Sequence, residues 1–525
     1  MLDKYLKRIT WISIIFLSLY FLYLVITPIN LHTADLGRHL KNGELFFTQG
    51  LIPKTNLYSY SYPDFPFVDH HWGTGVIFYA VYQIAGFAGL SLFFGLFSLV
   101  TFLLFFDLAY RNTNIFITLP ITLLALPLAA SRTEIRPELF SYLFIALFLW
   151  LLYTFNQSKL NQKWLYAIPF LELLWVNIHI YFPFGLLLLA IFGAEKLIQY
   201  LLDRSKQNLN QLKTLIIIGL ISGGVTLINP NGLTGVLYPL HIFDNYGYKV
   251  LENQSVAELD RLISYPPTPF FKSLFVMLSL SWIVSFLSFK PKKWLSSGSI
   301  SLLTISVIFS LMSLNAVRNF SLFALFCIPI ISINLKNLTF SKLKIDQSSA
   351  NFFYPMLLVG ILLFTLFVSS DFWVNRGFST LGTYPQADSA VKFFQQNNLK
   401  GPIFNNYDNG GLLTWYLYPQ EKVFVDNRPE AYPSDFFQKT YIPLQQDDQI
   451  WKEQSQKYNF NVIFFYRHDL TNWGQKFLVT RIKDPEWAPV YVDNFEIIFL
   501  KINEENAALI KKYRLPDEMF HVRSN

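Results

Sequence analysis

The feature that most constrains this chain is a succession of apolar segments, each near the length needed to cross a lipid bilayer. The first follows Lys4, Lys7 and Arg8 and stays apolar from about Ile9 to Ile29, roughly 20 residues, which suffices for a helix across the hydrocarbon core. A secretory signal has a shorter apolar stretch and a small-residue cleavage site. Neither is present, so an uncleaved first helix with a cytoplasmic N-terminus is expected. Further apolar stretches follow near 89–109, 115–129, 139–155, 164–177, 183–202, 214–228, 270–289, 298–315, 320–335 and 352–369. The expectation is a polytopic α-helical membrane domain over residues 1–369 with about 11 transmembrane helices.

Composition agrees. Charged residues make up 15% of the chain and hydrophobic ones 52%, against about 25% charged in soluble domains. This excludes a disordered protein, a collagen-like repeat and an ordinary soluble enzyme. A single cysteine, Cys327, excludes a disulfide framework and a cysteine-rich zinc site. The net charge of +7 does not argue for nucleic acid, because its distribution has another cause. Lysine and arginine are several-fold denser in 1–8, 111–114, 156–163, 203–213, 290–297 and 336–351 than in 29–72, 130–138, 178–182, 229–269 and 316–319. Cytoplasmic loops carry that bias. The short apolar stretch 73–85 therefore reads as an interfacial helix on the outer surface. Counting it as a span would invert every later loop.

With this orientation all eight histidines (His32, His39, His70, His71, His179, His241, His468 and His521) fall on the outer side. The first long outer loop, 29–72, holds Asp35, Arg38, His39, Glu44 and Lys54 and ends Asp69-His70-His71-Trp72. A carboxylate just past a span suits a general base or a metal ligand; the alternative is that Asp35 only caps a helix over 36–48. Adjacent His70 and His71 diverge on either a strand or a helix, so the pair alone is not expected to share a metal. One contacting phosphate or sugar and the other packing on Trp72 fits better.

The second outer loop places Arg132 and Arg136 four residues apart. Two guanidinium forks suit a phosphate or diphosphate; internal pairing with Glu134 and Glu138 is the alternative. Asn177, His179, the Asn229–Gly232 run, Glu258 in the long loop 229–269, and Arg318-Asn319 stand at outer helix ends. Polar groups there must find partners or line a wet cavity. Glu172 lies well inside a span, either functional or paired with a neighbouring helix.

From Ser370 the composition turns polar, and 370–525 is about one domain long. Helices are expected at 385–397, after Gly411, and near 434–444 and 449–458. Strands are expected at 402–405, 423–426, 462–466 and on both sides of Asp493-Asn494. The alternation argues for an extracytoplasmic α/β domain. Asp408, Gly410, Gly411, Asp426, Asn427 and Arg428 lie just after strands, where open α/β sheets bind ligands.

Taken together, these runs resemble the GT-C superfamily of integral-membrane glycosyltransferases, which includes protein O-mannosyltransferases, the aminoarabinose transferase of lipid A and oligosaccharyltransferase catalytic subunits. The resemblance is carried by Asp35, His39-Leu40-Lys41-Asn42-Gly43, Gly50 to Tyr60 and His70-His71-Trp72, and further by Arg136-Pro137, Asn177-Ile178-His179, Asn229 to Gly232, Gly410-Gly411 and Asp426-Asn427-Arg428. It covers nearly the whole chain. It implies inverting sugar transfer from a polyprenyl-phosphate donor to a glycan, lipid or protein acceptor, on the outer face of a bacterial cytoplasmic membrane, without nucleic acid. By position Asp35 is the base or a ligand for a divalent cation (Mg2+ or Mn2+). Arg132, Arg136, Arg318 or Lys54 holds the donor phosphate. Arg38, His39, Glu44, Asp69, His70, His71, Asn177, His179, Glu258 and Asn319 are expected to line the substrate site. Many members have adjacent acids here, whereas Leu36 follows Asp35. Either Asp69 or Glu44 supplies the second acid, or the metal is absent, or the activity is lost. A lipid-linked-sugar transporter and a non-catalytic envelope scaffold are the competing readings.

Overall fold

In lipid every backbone polar group must be satisfied within its own segment, so an apolar stretch that crosses does so as a continuous helix. The computed structural model follows that rule. It describes residues 2–242, 244, 247–248, 250–263, 265–287, 298–336, 347–367 and 380–520. The basic segments 290–297 and 337–346, the expected domain boundary at 369/370 and His521 lie outside these.

Fourteen helices of seven residues or more precede the polar tail among the described residues. They are α1 (Leu2–Val25), α2 (Leu36–Gln49), α3 (Trp72–Asn112), α4 (Ile115–Ala129), α5 (Glu138–Asn156), α6 (Ala167–Ile178), α7 (Pro183–Asp203), α8 (Lys206–Val225), α9 (Gly232–His241), α10 (Val256–Leu262), α11 (Thr268–Leu287), α12 (Ser299–Asn315), α13 (Phe320–Leu335) and α14 (Gln347–Phe367). Each expected apolar stretch carries one of them. Six among the described residues are long and apolar enough to cross a membrane, and three shorter ones are apolar. The chain is a multi-pass membrane protein.

The 41-residue α3 is two helices joined at a kink. Gly86 sits there at φ 61° and ψ −157°, a backbone region open only to glycine. The kink separates the expected interfacial segment 73–85 from the following span. At the centre of the bundle α13 is almost wholly buried and packs on α3, α4, α11 and α12. The periphery is apolar too: Trp11, Ile12 and Leu19 of α1 are exposed, as side chains facing lipid should be. Glu172 is buried on α6. Its carboxylate lies against Gly185, and neither oxygen has a hydrogen-bond partner among the described residues.

The tail builds a mixed four-stranded sheet. Its elements are α15 (Ser389–Gln396), β1 (Ile403–Asn405), α16 (Gly410–Leu417), α17 (Asp448–Lys457), β2 (Val462–Tyr466), α18 (Asn472–Ile482), β3 (Trp487–Val492), β4 (Glu496–Lys501) and α19 (Ala507–Tyr513). The strand order is β1-β2-β4-β3, parallel between β1 and β2 and antiparallel elsewhere. The hairpin at Asp493-Asn494 is present, as expected. Val423–Asp426 is not a strand of the sheet, and the reason is a side chain. Asn405 Oδ1 accepts from Phe424 N at 2.9 Å, and its Nδ2 donates to Val425 O at 2.7 Å. These bonds replace a ladder, and Val423 makes a single bridge to Ser59 instead. The expected helix over 434–444 is broken into short turns around a π-helical segment, Phe437–Tyr441.

The tail is bolted to the first long loop. His32 Nδ1 lies 2.7 Å from Glu496 Oε1, and its ring stacks on Phe495 at 4.4 Å. Fully buried Arg428 pairs with Asp426 at 2.5 Å, donates to Asn56 Oδ1 at 2.6 Å, and lies over the rings of Phe67 and Tyr58. A Cβ on Gly37 of α2 would come within 2.3 Å of the Gly411 carbonyl of α16. Only a bare backbone permits that approach, and it brings the turn after β1 onto the residues flanking Asp35.

Candidate active site

Asp35 holds the N-cap position of α2, yet its side chain makes no capping hydrogen bond. Its carboxylate is 22% exposed and stands 3.9 Å from the guanidinium groups of both Arg38 and Arg136. The helix start positions the acid, and the arginines, rather than the helix amides, face it.

Three arginines, two from the loop before α5 and one from the turn before α13, gather beside this acid. Arg132 grips Glu138 with Nε at 3.2 Å and Nη2 at 3.0 Å from both oxygens. Arg136 Nη2 lies 2.6 Å from Glu134. Arg318, on the turn between α12 and α13, reaches Glu138 at 2.8 Å and Asn253 at 3.0 Å. One further carboxylate joins all three. Glu252 lies 2.5 Å from Arg132, 3.1 Å from Arg136 through each of its oxygens and 3.9 Å from Arg318. Burial pushes the Glu252 carboxyl up, but the three guanidiniums outweigh it and hold the group well below the usual carboxylate range. Burial likewise opposes the charge on Arg132 and Arg136, and the surrounding glutamates more than restore it.

This ionic cluster closes the end of a narrow cleft. Phe21 and Val25 of α1, Phe94 of α3, Leu139 and Tyr142 of α5 and Leu325 of α13 wall it. Arg132, Glu134, Arg136 and Glu138 form its polar end. An apolar slot ending in arginine forks suits an amphiphile whose anionic group can take the place of a paired carboxylate.

Behind α2, His39, His70, His71 and His179 form a buried cluster. His71 lies between His39 (ring centroids 5.4 Å), His70 (3.8 Å) and His179 (5.1 Å). Burial lowers the pKa of all four, to about 3 for His70 and His179. Ser141 accepts from Trp175 Nε1 at 2.7 Å, which leaves its own proton for His179 Nδ1 at 2.6 Å. Both ring nitrogens of His39 and Nε and Nη1 of Arg38 are buried without a protein partner.

The other expected residues divide. Asp69 is buried, accepting from Asn42 at 2.8 Å and from His71 N at 3.3 Å. Glu44 pairs with Lys41 at 2.5 Å. Asn177 is committed to Trp72, Leu173 and Ile228, and Asn319 to the carbonyls of Met312 and Ala316. Lys54 is exposed and stands outside the arginine cluster. Glu258 is also exposed: its carboxylate closes a capping box with Ser255, and Glu252 occupies the place in the cluster. The tail brings Asp408 to the same region, on the turn docked against α2. Burial pushes its carboxyl up to about 7, with Asp469, Glu134, Glu496 and Asp35 adding to the shift. Glu252 gives no periodic signal, but Ser255-Val256-Ala257-Glu258 is a capping-box sequence, which removes Glu258 from the candidates and leaves Glu252.

A divalent hard cation collects about six oxygen ligands. Among the described residues no group of three or more His, Cys, Asp or Glu side chains is arranged to hold a metal, and the close neighbours of Asp35 are guanidiniums.

No family model and no curated protein matches the chain by sequence. By structure, the archaeal oligosaccharyltransferase AglB of Archaeoglobus fulgidus, in complex with an inhibitory peptide and a dolichol-phosphate, aligns over 94% of this chain and 74% of its own, with TM-score 0.58 and 10% identity. The fold is that of the GT-C membrane glycosyltransferases. ArnT of Cupriavidus metallidurans, bound to undecaprenyl phosphate, shares this GT-C fold over 94% of this chain and 98% of its own, with TM-score 0.50 and 13% identity. Mycobacterial arabinofuranosyltransferase AftD aligns over 95% of this chain and 42% of its own, with TM-score 0.50 and 14% identity.

Proposed function

We propose that this chain is a membrane glycosyltransferase that takes a sugar from a polyprenyl-phosphate carrier and passes it, with inversion, to an acceptor hydroxyl. The observation that carries the reading is the apolar cleft whose polar end holds Arg132 and Arg136, the latter 3.9 Å from the Asp35 carboxylate. The isoprenoid lies along Phe21, Phe94, Leu139 and Leu325, and the phosphate faces the arginines. Solved proteins of this fold hold a dolichol-phosphate and undecaprenyl phosphate, which supports this class of donor.

The chemistry follows from the charges. The acceptor oxygen attacks the anomeric carbon and gives its proton to Asp35. The bond from the anomeric carbon to the phosphate oxygen breaks, and the electron pair leaves with the lipid phosphate. Arg132, Arg136 and Arg318 offset the charge gathering there. Arg136 touches both parts of the site, which keeps base and leaving group in one frame. No step here passes through a metal. In this reading the site faces the outside of a bacterial cytoplasmic membrane, and the lysine and arginine bias of the loops supports that orientation.

The test is transfer by the full chain in proteoliposomes given labelled polyprenyl-phosphate sugars. Asp35→Asn is expected to abolish product while leaving donor binding intact. Undiminished transfer by that variant would remove Asp35 from the mechanism.

A further inference from the structure

Every arginine in the cluster is already neutralised, which is unusual for an anion site awaiting its ligand. Arg132, Arg136 and Arg318 face Glu134, Glu138 and Glu252, three charges against three. The glutamates are not equivalent. Glu134 and Glu138 belong to the same loop and helix start as Arg132 and Arg136. Glu252 comes from a distant loop, on the turn Leu251–Asn253, and it alone approaches all three guanidiniums. Both of its oxygens bind in the manner of two phosphoryl oxygens. Its carboxylate is 20% exposed.

We infer that Glu252 holds the place of the donor's phosphate and is displaced by it, and that the donor is therefore a monophosphodiester rather than a diphosphate. This rests on the reading of the cleft as a donor site. The argument is charge balance. Without Glu252 the cluster, counted with the adjoining Asp35 and Arg38, carries four positive and three negative charges, a net of one. A sugar linked through one phosphate is a phosphodiester of charge minus one and restores neutrality. A diphosphate-linked sugar carries minus two and leaves an excess negative charge in a buried site, which is costly. An internal competitor also lowers apparent affinity by the fraction of molecules in which it is seated.

The experiment uses the full chain in nanodiscs, with undecaprenyl phosphate glucose and undecaprenyl diphosphate glucose as probes. Wild type is expected to bind the monophosphate probe more tightly. Glu252→Gln should tighten binding of both probes by at least about tenfold and leave the gap between them unchanged. Glu252→Asp, which keeps the charge on a shorter arm, should fall between. Without any variant, amide exchange over 250–254 should rise when the monophosphate probe binds wild type. Tighter wild-type binding of the diphosphate, unchanged or weaker binding in Glu252→Gln, or unchanged exchange would each overturn the inference. Arg132→Gln with Arg136→Gln separates this from the donor site itself. If that double variant still binds both probes like wild type, the cleft is not the donor site. If it loses binding while Glu252→Gln gains none, only the role of Glu252 fails.

Discussion

The Asp35 carboxylate stands 3.9 Å from the Arg136 guanidinium, although one residue begins α2 and the other precedes α5. The contact joins the acid that would accept a proton to the cation that would hold the leaving group, so the two roles are separable by substitution. Asp35→Asn keeps the shape and removes the base. General base catalysis contributes about 10²–10⁴-fold, so single-turnover transfer should fall by that order while donor affinity is retained. Arg136→Gln should do the reverse in emphasis, weakening donor affinity first.

Gly37 and Gly411 set the distance between α2 and the tail. Gly37→Ala places a methyl within 2.3 Å of a carbonyl oxygen and 3.2 Å of Trp415 Cβ. Backbone cannot yield as a flexible side chain does. The expected outcome is loss of transfer with the helix bundle still folded, seen as normal helicity and extraction behaviour together with faster proteolysis of residues 380–520. Gly193→Ala, where a Cβ meets nothing within 4 Å, is the control and should behave as wild type.

Arg428 has a different kind of burden. It is fully buried and paired to fully buried Asp426, so Arg428→Met strands a carboxylate. Breaking a buried pair costs about 3–5 kcal/mol, which should appear as a lowered unfolding midpoint of the full chain in detergent. Asp426→Asn added to Arg428→Met should recover part of the loss, because no unpaired charge then remains.

How much of this was legible beforehand depends on the kind of residue. The helices were, because lipid leaves no alternative for a long apolar stretch, and the Gly86 kink falls between the segments read as interfacial and spanning. The gathering of Asp35, Arg132, Arg136 and Arg318 followed from placing all four on one side. The partners did not. The expected alternative of Arg132 and Arg136 pairing with Glu138 and Glu134 is present alongside the approach of Arg136 to Asp35, and the fourth carboxylate is Glu252 rather than Glu258. A loop acid has no periodicity to read, and which side chains meet across 29–72, 130–137 and 250–254 is decided by tertiary packing. The tail's Val423–Asp426 misled for a related reason: its β-branched and aromatic residues look like a strand, but Asn405 supplies their hydrogen bonds.

The four buried histidines make stability depend on acid. Burial lowers each of them from the ordinary imidazole value near 6.5, and His70 and His179 reach about 3. The unfolded chain takes up protons on these rings below about pH 6.5, whereas in the folded chain His70 and His179 do so only near pH 3 and His39 and His71 well below 6.5. Stability is therefore fully present above pH 6.5 and drains away as the pH falls through that window, by up to about 1.4 kcal/mol per pH unit for each ring. Asp408 acts in the opposite sense. Its folded pKa of about 7 lies above the ordinary aspartate value, so its contribution is full in acid and lost as the pH rises towards 7. The two windows overlap, so unfolding midpoints measured from pH 4 to 8 should show one net slope in which Asp408 partly offsets the histidines. His179→Gln should flatten the acid limb, and Asp408→Asn should raise the midpoint near pH 7. An acid limb unchanged in His179→Gln would mean that this ring is already charged in the folded protein.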